Sequence, residues 1–104
     1  MTSNAPMEKK YYALRLLPPR PTFAMDMSND ERDIMQLHVA YWMKFMAEGK
    51  VIVFGPVFDP AGAYGLGVVY VKDEEEVKSL IEGDPANGLN TYVWSPMMAI
   101  VPKK

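Results

Sequence analysis

Ser28 to Phe54, SNDERDIMQLHVAYWMKFMAEGKVIVF, is the stretch whose reading decides the fold. Ser28 followed three residues later by Glu31 is a capping box, in which the Ser side chain and the Glu side chain satisfy each other's backbone N–H groups. From there the spacing predicts a helix to about Glu48, with Gly49 as its left-handed cap. Ile34, His38, Tyr41 and Phe45 fall on one face at helical spacing, with Trp42 beside them. Leu37, Val39, Ala40, Met43 and Met46 make most of the remaining circumference apolar. Val51-Ile52-Val53-Phe54 then runs without a polar residue, the pattern of a strand covered on both sides.

Upstream, Tyr11 to Leu17 reads as a strand ended by Pro18-Pro19. Tyr12, Leu14 and Leu16 share one face, and Tyr11, Ala13, Arg15 and Leu17 the other. Met1 to Lys10 is polar and is expected to be a disordered lead-in, leaving 11–104 as a single domain. Arg20 to Met27 reads as a loop. Downstream, the strand that starts at Lys50 is expected to reach Phe58 with an interruption at Gly55-Pro56, before the turn residues Asp59-Pro60-Ala61-Gly62. Tyr64 to Val71 is a third strand. Asp73 caps a second helix with three acids in its first turn, a buried stripe of Val77, Leu80 and Ile81, and an end at Gly83. Asn87-Gly88 signals a turn into a last strand, Leu89 to Val101, whose Pro96 belongs at an edge or bulge.

The order β-α-β-β-α-β is that of an α+β, ferredoxin-like fold: a four-stranded antiparallel sheet with both helices on one face. The other face would carry Tyr11, Ala13 and Leu17, too apolar to be left to water. A homodimer packing sheet against sheet is therefore expected.

Bulk properties narrow the function. Apolar residues make up 49% of the chain, charged residues 23%, and the net charge is -2, so nothing suggests the basic face that nucleic acid requires. No stretch reads as a membrane span or targeting segment, and the absence of cysteine fits a reducing compartment, so the expected location is cytoplasmic. The chain has no cysteine and one histidine, which removes disulfides and thiolate chemistry and leaves a metal site short of donors, even if His38, Asp59 and Asp84 were to converge. Gly62-Ala63-Tyr64-Gly65-Leu66-Gly67 is glycine-rich, but no helix start follows it, so no phosphate cradle and no cofactor is implied. Nine methionines suggest an adaptable core and interface.

His38 is thus the candidate for chemistry near neutral pH. A lone histidine on an apolar helix face is more often a satisfied core residue. A catalytic one needs a carboxylate to fix its tautomer. Asp84 is the candidate, because it follows the second helix, which lies beside the first on the same sheet face. The bland reading of Asp84 is a turn aspartate before proline.

The chain resembles the YciI-like (YCII-related) family from about Tyr11 to Val101. The resemblance is carried by His38, Glu48-Gly49-Lys50, Gly55-Pro56, Asp84-Pro85 and Gly88-Leu89, in that order and spacing. It implies a dimeric α+β barrel of ferredoxin-like fold, and an active-site pair mapping onto His38 and Asp84. One family member resembles a small dehydrochlorinase acting on a chlorinated hydroxyquinol, and the fold is shared with muconolactone isomerase. Two departures stand out: Ala86 where relatives often carry an aromatic after Asp-Pro, and the proline-rich loop from Pro18 to Met27. The leading expectation is a small cofactor-independent lyase or isomerase acting on a small cyclic or aromatic substrate. His38 would be general acid or base and Asp84 its orienting partner. Tyr41, Trp42 and Phe58 would wall the pocket, and Arg15 or Arg20 would be within reach of an anionic ligand. The alternatives are a non-catalytic ligand-binding domain and a structural dimer module.

Overall fold

A computed structural model describes residues 9–102. They form β1 (Lys10–Leu17), α1 (Phe23–Asp26), α2 (Asn29–Ala47), β2 (Val51–Val57), β3 (Tyr64–Val71), α3 (Glu74–Gly83) and β4 (Thr91–Met97). Most of the stretch read as a lead-in lies outside the described residues, and Lys10, its last residue, opens β1.

The capping box forms as its spacing requires. Glu31 N–H donates to the Ser28 hydroxyl oxygen at 3.1 Å, and the Glu31 carboxylate accepts from Ser28 N–H at 2.9 Å. At the other end of α2, Gly49 turns the chain with φ +83°, a left-handed conformation that costs glycine nothing. Asp73 caps α3 by accepting from Glu76 N–H at 3.0 Å. Glu76 reaches back to Lys72 N–H at 2.9 Å and pairs with Lys50 at 3.0 Å, tying the start of α3 to the entry of β2.

The sheet order is β2-β3-β1-β4, antiparallel throughout. With both long helices contributing to one core, this is an α+β architecture compatible with the ferredoxin-like arrangement. The period-two reading of β1 holds: Tyr12, Leu14 and Leu16 are all buried. Tyr12 and Leu14 meet Trp42 from α2 and Val77, Leu80 and Ile81 from α3, with Val51, Val69 and Val71 completing the core. No helix among the described residues is long and apolar enough to cross a membrane.

Four local expectations are corrected. Gly55-Pro56 does not interrupt β2: Pro56 stays in register opposite Gly65, because β2 is an edge strand and a proline there withholds no ladder hydrogen bond. The irregularity lies earlier, as a register shift between Val51 and Val53. Nor is the Val51–Phe54 run covered on both sides: Val51 is buried while Ile52 and Val53 are 40% and 54% exposed, since no described segment lies over the outer face of that edge. The last strand stops at Met97 rather than Val101. Met97 pairs with Tyr11, and with β1 beginning at Lys10 little partner remains beyond it. Finally, the Arg20–Met27 loop contains the single turn of helix α1.

Gly83 ends α3 for a reason the sequence does not announce. It has no positive φ, but a Cβ there would stand 2.5 Å from the Tyr41 hydroxyl, which donates to the Leu80 carbonyl at 2.6 Å. Gly83→Ala would improve helix propensity yet displace Tyr41 and break that bond. The expected net effect is a loss of about 1 kcal/mol. Chemical denaturation reads it, and a stabilised Gly83→Ala would contradict the close approach.

Candidate functional site

Asp84 is the C-cap of α3, and its side chain is fully buried. A buried carboxylate is costly unless donors surround it. Here four do. His38 Nδ1 lies 2.8 Å from Oδ2 and 3.1 Å from Oδ1. Trp42 Nε1–H donates to Oδ2 at 2.9 Å, Ala86 N–H donates to Oδ1 at 2.9 Å, and the Tyr92 hydroxyl donates to Oδ2. Burial alone would push the Asp84 carboxyl up, but the hydrogen bonds from His38, Tyr92, Ala86 and Trp42 together outweigh it and hold the group below the usual carboxylate range. The same site drives the Tyr92 hydroxyl far above the ordinary phenol range, first through burial and then through its bond to the Asp84 carboxylate. Tyr92 is thus a fixed donor, not an acid.

An ionised Asp84 accepts and does not donate, so His38 Nδ1 carries a proton, and in the neutral form of the ring Nε2 holds the lone pair. His38 and Trp42 are one turn apart on α2, which is why both reach the same carboxylate. Ala86 is fully buried directly after Pro85, and its N–H closes an Asx-type turn on Asp84. A larger residue there would have to displace that turn.

His38, Trp42 and Tyr92 also line a cavity of about 470 Å³ between α2, the α1 segment and the sheet, a size in the range of small-molecule sites. Its other walls are apolar, among them Leu14, Leu16, Phe23, Met35 and Phe54. The sheet floor is open there because β3 presents Gly65 and Gly67 opposite Leu16 and Leu14. Asn90, 4% exposed, is the remaining buried polar residue on the wall.

Residues 12–98 match the family model of the YCII-related domain. The chain belongs to that family. None of the curated proteins matches the chain.

Within this YCII-related domain, the six residues singled out in the sequence separate into two groups. His38, Asp84 and Trp42 meet at the cavity. Tyr41 does not line it: one position round the helix, it faces α3 and gives its hydroxyl to Leu80. Phe58 lies past the end of β2 and is 76% exposed. Arg15 lies on the opposite sheet face, its guanidinium over the Tyr64 ring at 4.9 Å. Asp59 caps its own turn by accepting from Ala61 N–H at 2.8 Å and does not line the cavity. Tyr92 and Asn90 escaped the sequence reading. The only available signal was polar residues alternating into an otherwise inward-facing strand entry, which does not announce a partner on another element.

The strap that carries Phe23 over the cavity is held by Arg20. Its guanidinium bonds Glu31 through two nitrogens at 2.8 and 3.0 Å, and Asp26 through Nε at 2.8 Å. Glu31 therefore serves the α2 cap and the strap at once. The Arg20 hydrogen bonds, then the Ser28 N–H, lower its carboxyl from 4.5 to about 2. In Arg20→Gln the Glu31 carboxyl, followed by carbon NMR, is expected to titrate well above its wild-type midpoint and closer to 4.5. An unchanged midpoint would mean the bracket does not form.

Proposed function

We propose that this YCII-related domain is a small cofactor-independent enzyme of the lyase or isomerase type, acting by general acid–base chemistry on a small cyclic or aromatic substrate. The observation that carries the reading is the His38–Asp84 contact of 2.8 Å at the wall of a mostly apolar cavity. With its proton fixed on Nδ1, the ring offers Nε2 as a base. Taking a proton from a bound carbon or hydroxyl acid makes an imidazolium, which the adjacent carboxylate stabilises without itself being protonated. The imidazolium can then return the proton at another atom of the substrate, or to a leaving group. Apolar walls exclude water and strengthen these interactions. The test is turnover in a His38→Gln variant that remains folded, against substrates found by screening enolisable ketones, lactones and halogenated cyclic compounds. Ligand binding without turnover in the wild type would favour a binding domain instead.

The same reading includes a homodimer. The sheet face away from the helices exposes Val53, Leu66, Val93 and Met97 by between 37% and 54%, alongside Tyr11 stacked on Tyr70 at 4.5 Å. A second copy presenting the same face would cover this surface by two-fold symmetry. Light scattering at micromolar concentration is expected to give twice the chain mass, and Val53→Asp to return it to the monomer value. A monomeric wild type would end the dimer proposal.

A further inference from the structure

Asn90 and Asp84 are the buried polar or charged residues among those described, and the Asn90 carboxamide is oriented by what surrounds it. Its nitrogen donates to the Ala86 carbonyl at 3.3 Å and lies 3.5 Å from the Met35 sulfur. Turning the amide over would set oxygen against oxygen, so the orientation is determined. The oxygen then accepts no hydrogen bond from any described residue. A buried acceptor left in that state is costly and calls for a partner.

The other side-chain polar groups on the cavity wall are already committed. Trp42 N–H and Tyr92 O–H both go to Asp84. Tyr64 contributes to the lining, but its ring sits with Arg15 on the opposite sheet face. What remains is the Asn90 oxygen, an acceptor, and the His38 Nε2, an acceptor in the neutral ring. Met35, whose sulfur lies 3.5 Å from the Asn90 amide nitrogen, is one turn before His38 on α2, so Asn90 and His38 serve the same stretch of the cavity wall. No lysine or arginine lines the cavity among the described residues. The nearest arginine, Arg20, is spent on Asp26 and Glu31.

We propose that Asn90 is a ligand-binding residue, and that the cavity selects an uncharged, mainly apolar ligand that brings its own hydrogen-bond donor. An anion would meet the Asn90 acceptor where it needs donors, with no lysine or arginine on the wall to offset its desolvation. An apolar ligand without a donor would bury the Asn90 oxygen unpaired. The inference rests on reading the cavity as a ligand site, but not on His38 being catalytic.

Indole and benzofuran, near-isosteres that differ by an N–H donor, are the probes, with benzofuran-2-carboxylate as the anion. Calorimetry on the full chain is expected to show indole binding about tenfold more tightly than benzofuran, with no measurable binding of the carboxylate. Asn90→Leu is expected to erase the preference for indole while still binding benzofuran, and His38→Gln to keep it. Failure of indole to bind, equal affinity of the two neutral probes in the wild type, or binding of the carboxylate as tight as that of indole would each overturn the proposal without requiring any variant to fold. A preference lost in His38→Gln but kept in Asn90→Leu would overturn the assignment to Asn90 while leaving the acid–base reading of His38 standing. Absence of turnover in the wild type with the indole preference intact would do the reverse.

Discussion

Asp84→Asn is expected to lower stability by about 2–4 kcal/mol, a large fraction of what holds a domain of this size together. Asp84 accepts from His38, Trp42, Tyr92 and Ala86. The amide replaces one acceptor oxygen with a donor nitrogen, so at least one of those N–H groups faces another donor inside the core. Each buried donor left unsatisfied costs about 1–3 kcal/mol. In a domain of about this length that corresponds to a fall in Tm of roughly 10–30 °C, which calorimetry reads directly. A variant melting within a few degrees of the wild type would mean that the four donors do not converge on this carboxylate.

The sign of the pH dependence follows from the same contacts. The folded-state carboxyl lies below its ordinary value of 3.8, so folding favours the ionised form. The stability it contributes is fully present above the unfolded value and is lost as pH falls through the depressed folded one. Acid unfolding of the wild type should therefore steepen below about pH 4. Asp84→Asn should unfold at lower denaturant throughout, with part of that acid slope missing.

His38→Gln is expected to reduce turnover by about a hundred- to ten-thousandfold, the usual worth of a positioned acid–base group. Glutamine can keep an N–H on Asp84, so the carboxylate retains a donor and the fold is not the variable being tested. It has no basic nitrogen to take the substrate proton. A role in catalysis predicts lost kcat with the melting transition nearly in place. A role only as a structural donor predicts unchanged turnover. Nitrogen NMR of the single imidazole adds a check free of substrate: the neutral ring should show the Nδ1–H tautomer in the wild type. The opposite tautomer would contradict the geometry on which the base assignment depends.

Features set by neighbouring residues were legible in the chain. The Ser28–Glu31 box, the Gly49 cap and the strand Tyr64–Val71 all appear where local spacing places them, because each depends on contacts within a few residues. The edge status of Pro96 was legible for a similar reason: only an edge strand tolerates its missing donor. The pairing of His38 with Asp84 was suggested by family resemblance together with the side-by-side helices, not by any periodicity. The assignments of Tyr41 and Phe58 to the cavity wall show the limit. Helical spacing gives an angular position to within one residue, and one position round the helix is enough to move Tyr41 from the cavity to α3.

By itself, the sequence determined the order of the four strands and the two long helices, the caps of those helices, the inward face of β1 and the identity of the lone imidazole, since propensity, capping and side-chain periodicity act over a few residues. Only the tertiary structure decided that Trp42 and Tyr92 join His38 on one carboxylate, that the Asn90 side-chain oxygen accepts from no described residue, and that Arg15 lies on the far side of the sheet. Those outcomes depend on which strand pairs with which and on how α2 and α3 settle against the sheet. Residues 8 to 50 positions apart are brought within hydrogen-bonding distance by burial of a shared core, and no local pattern encodes that distance.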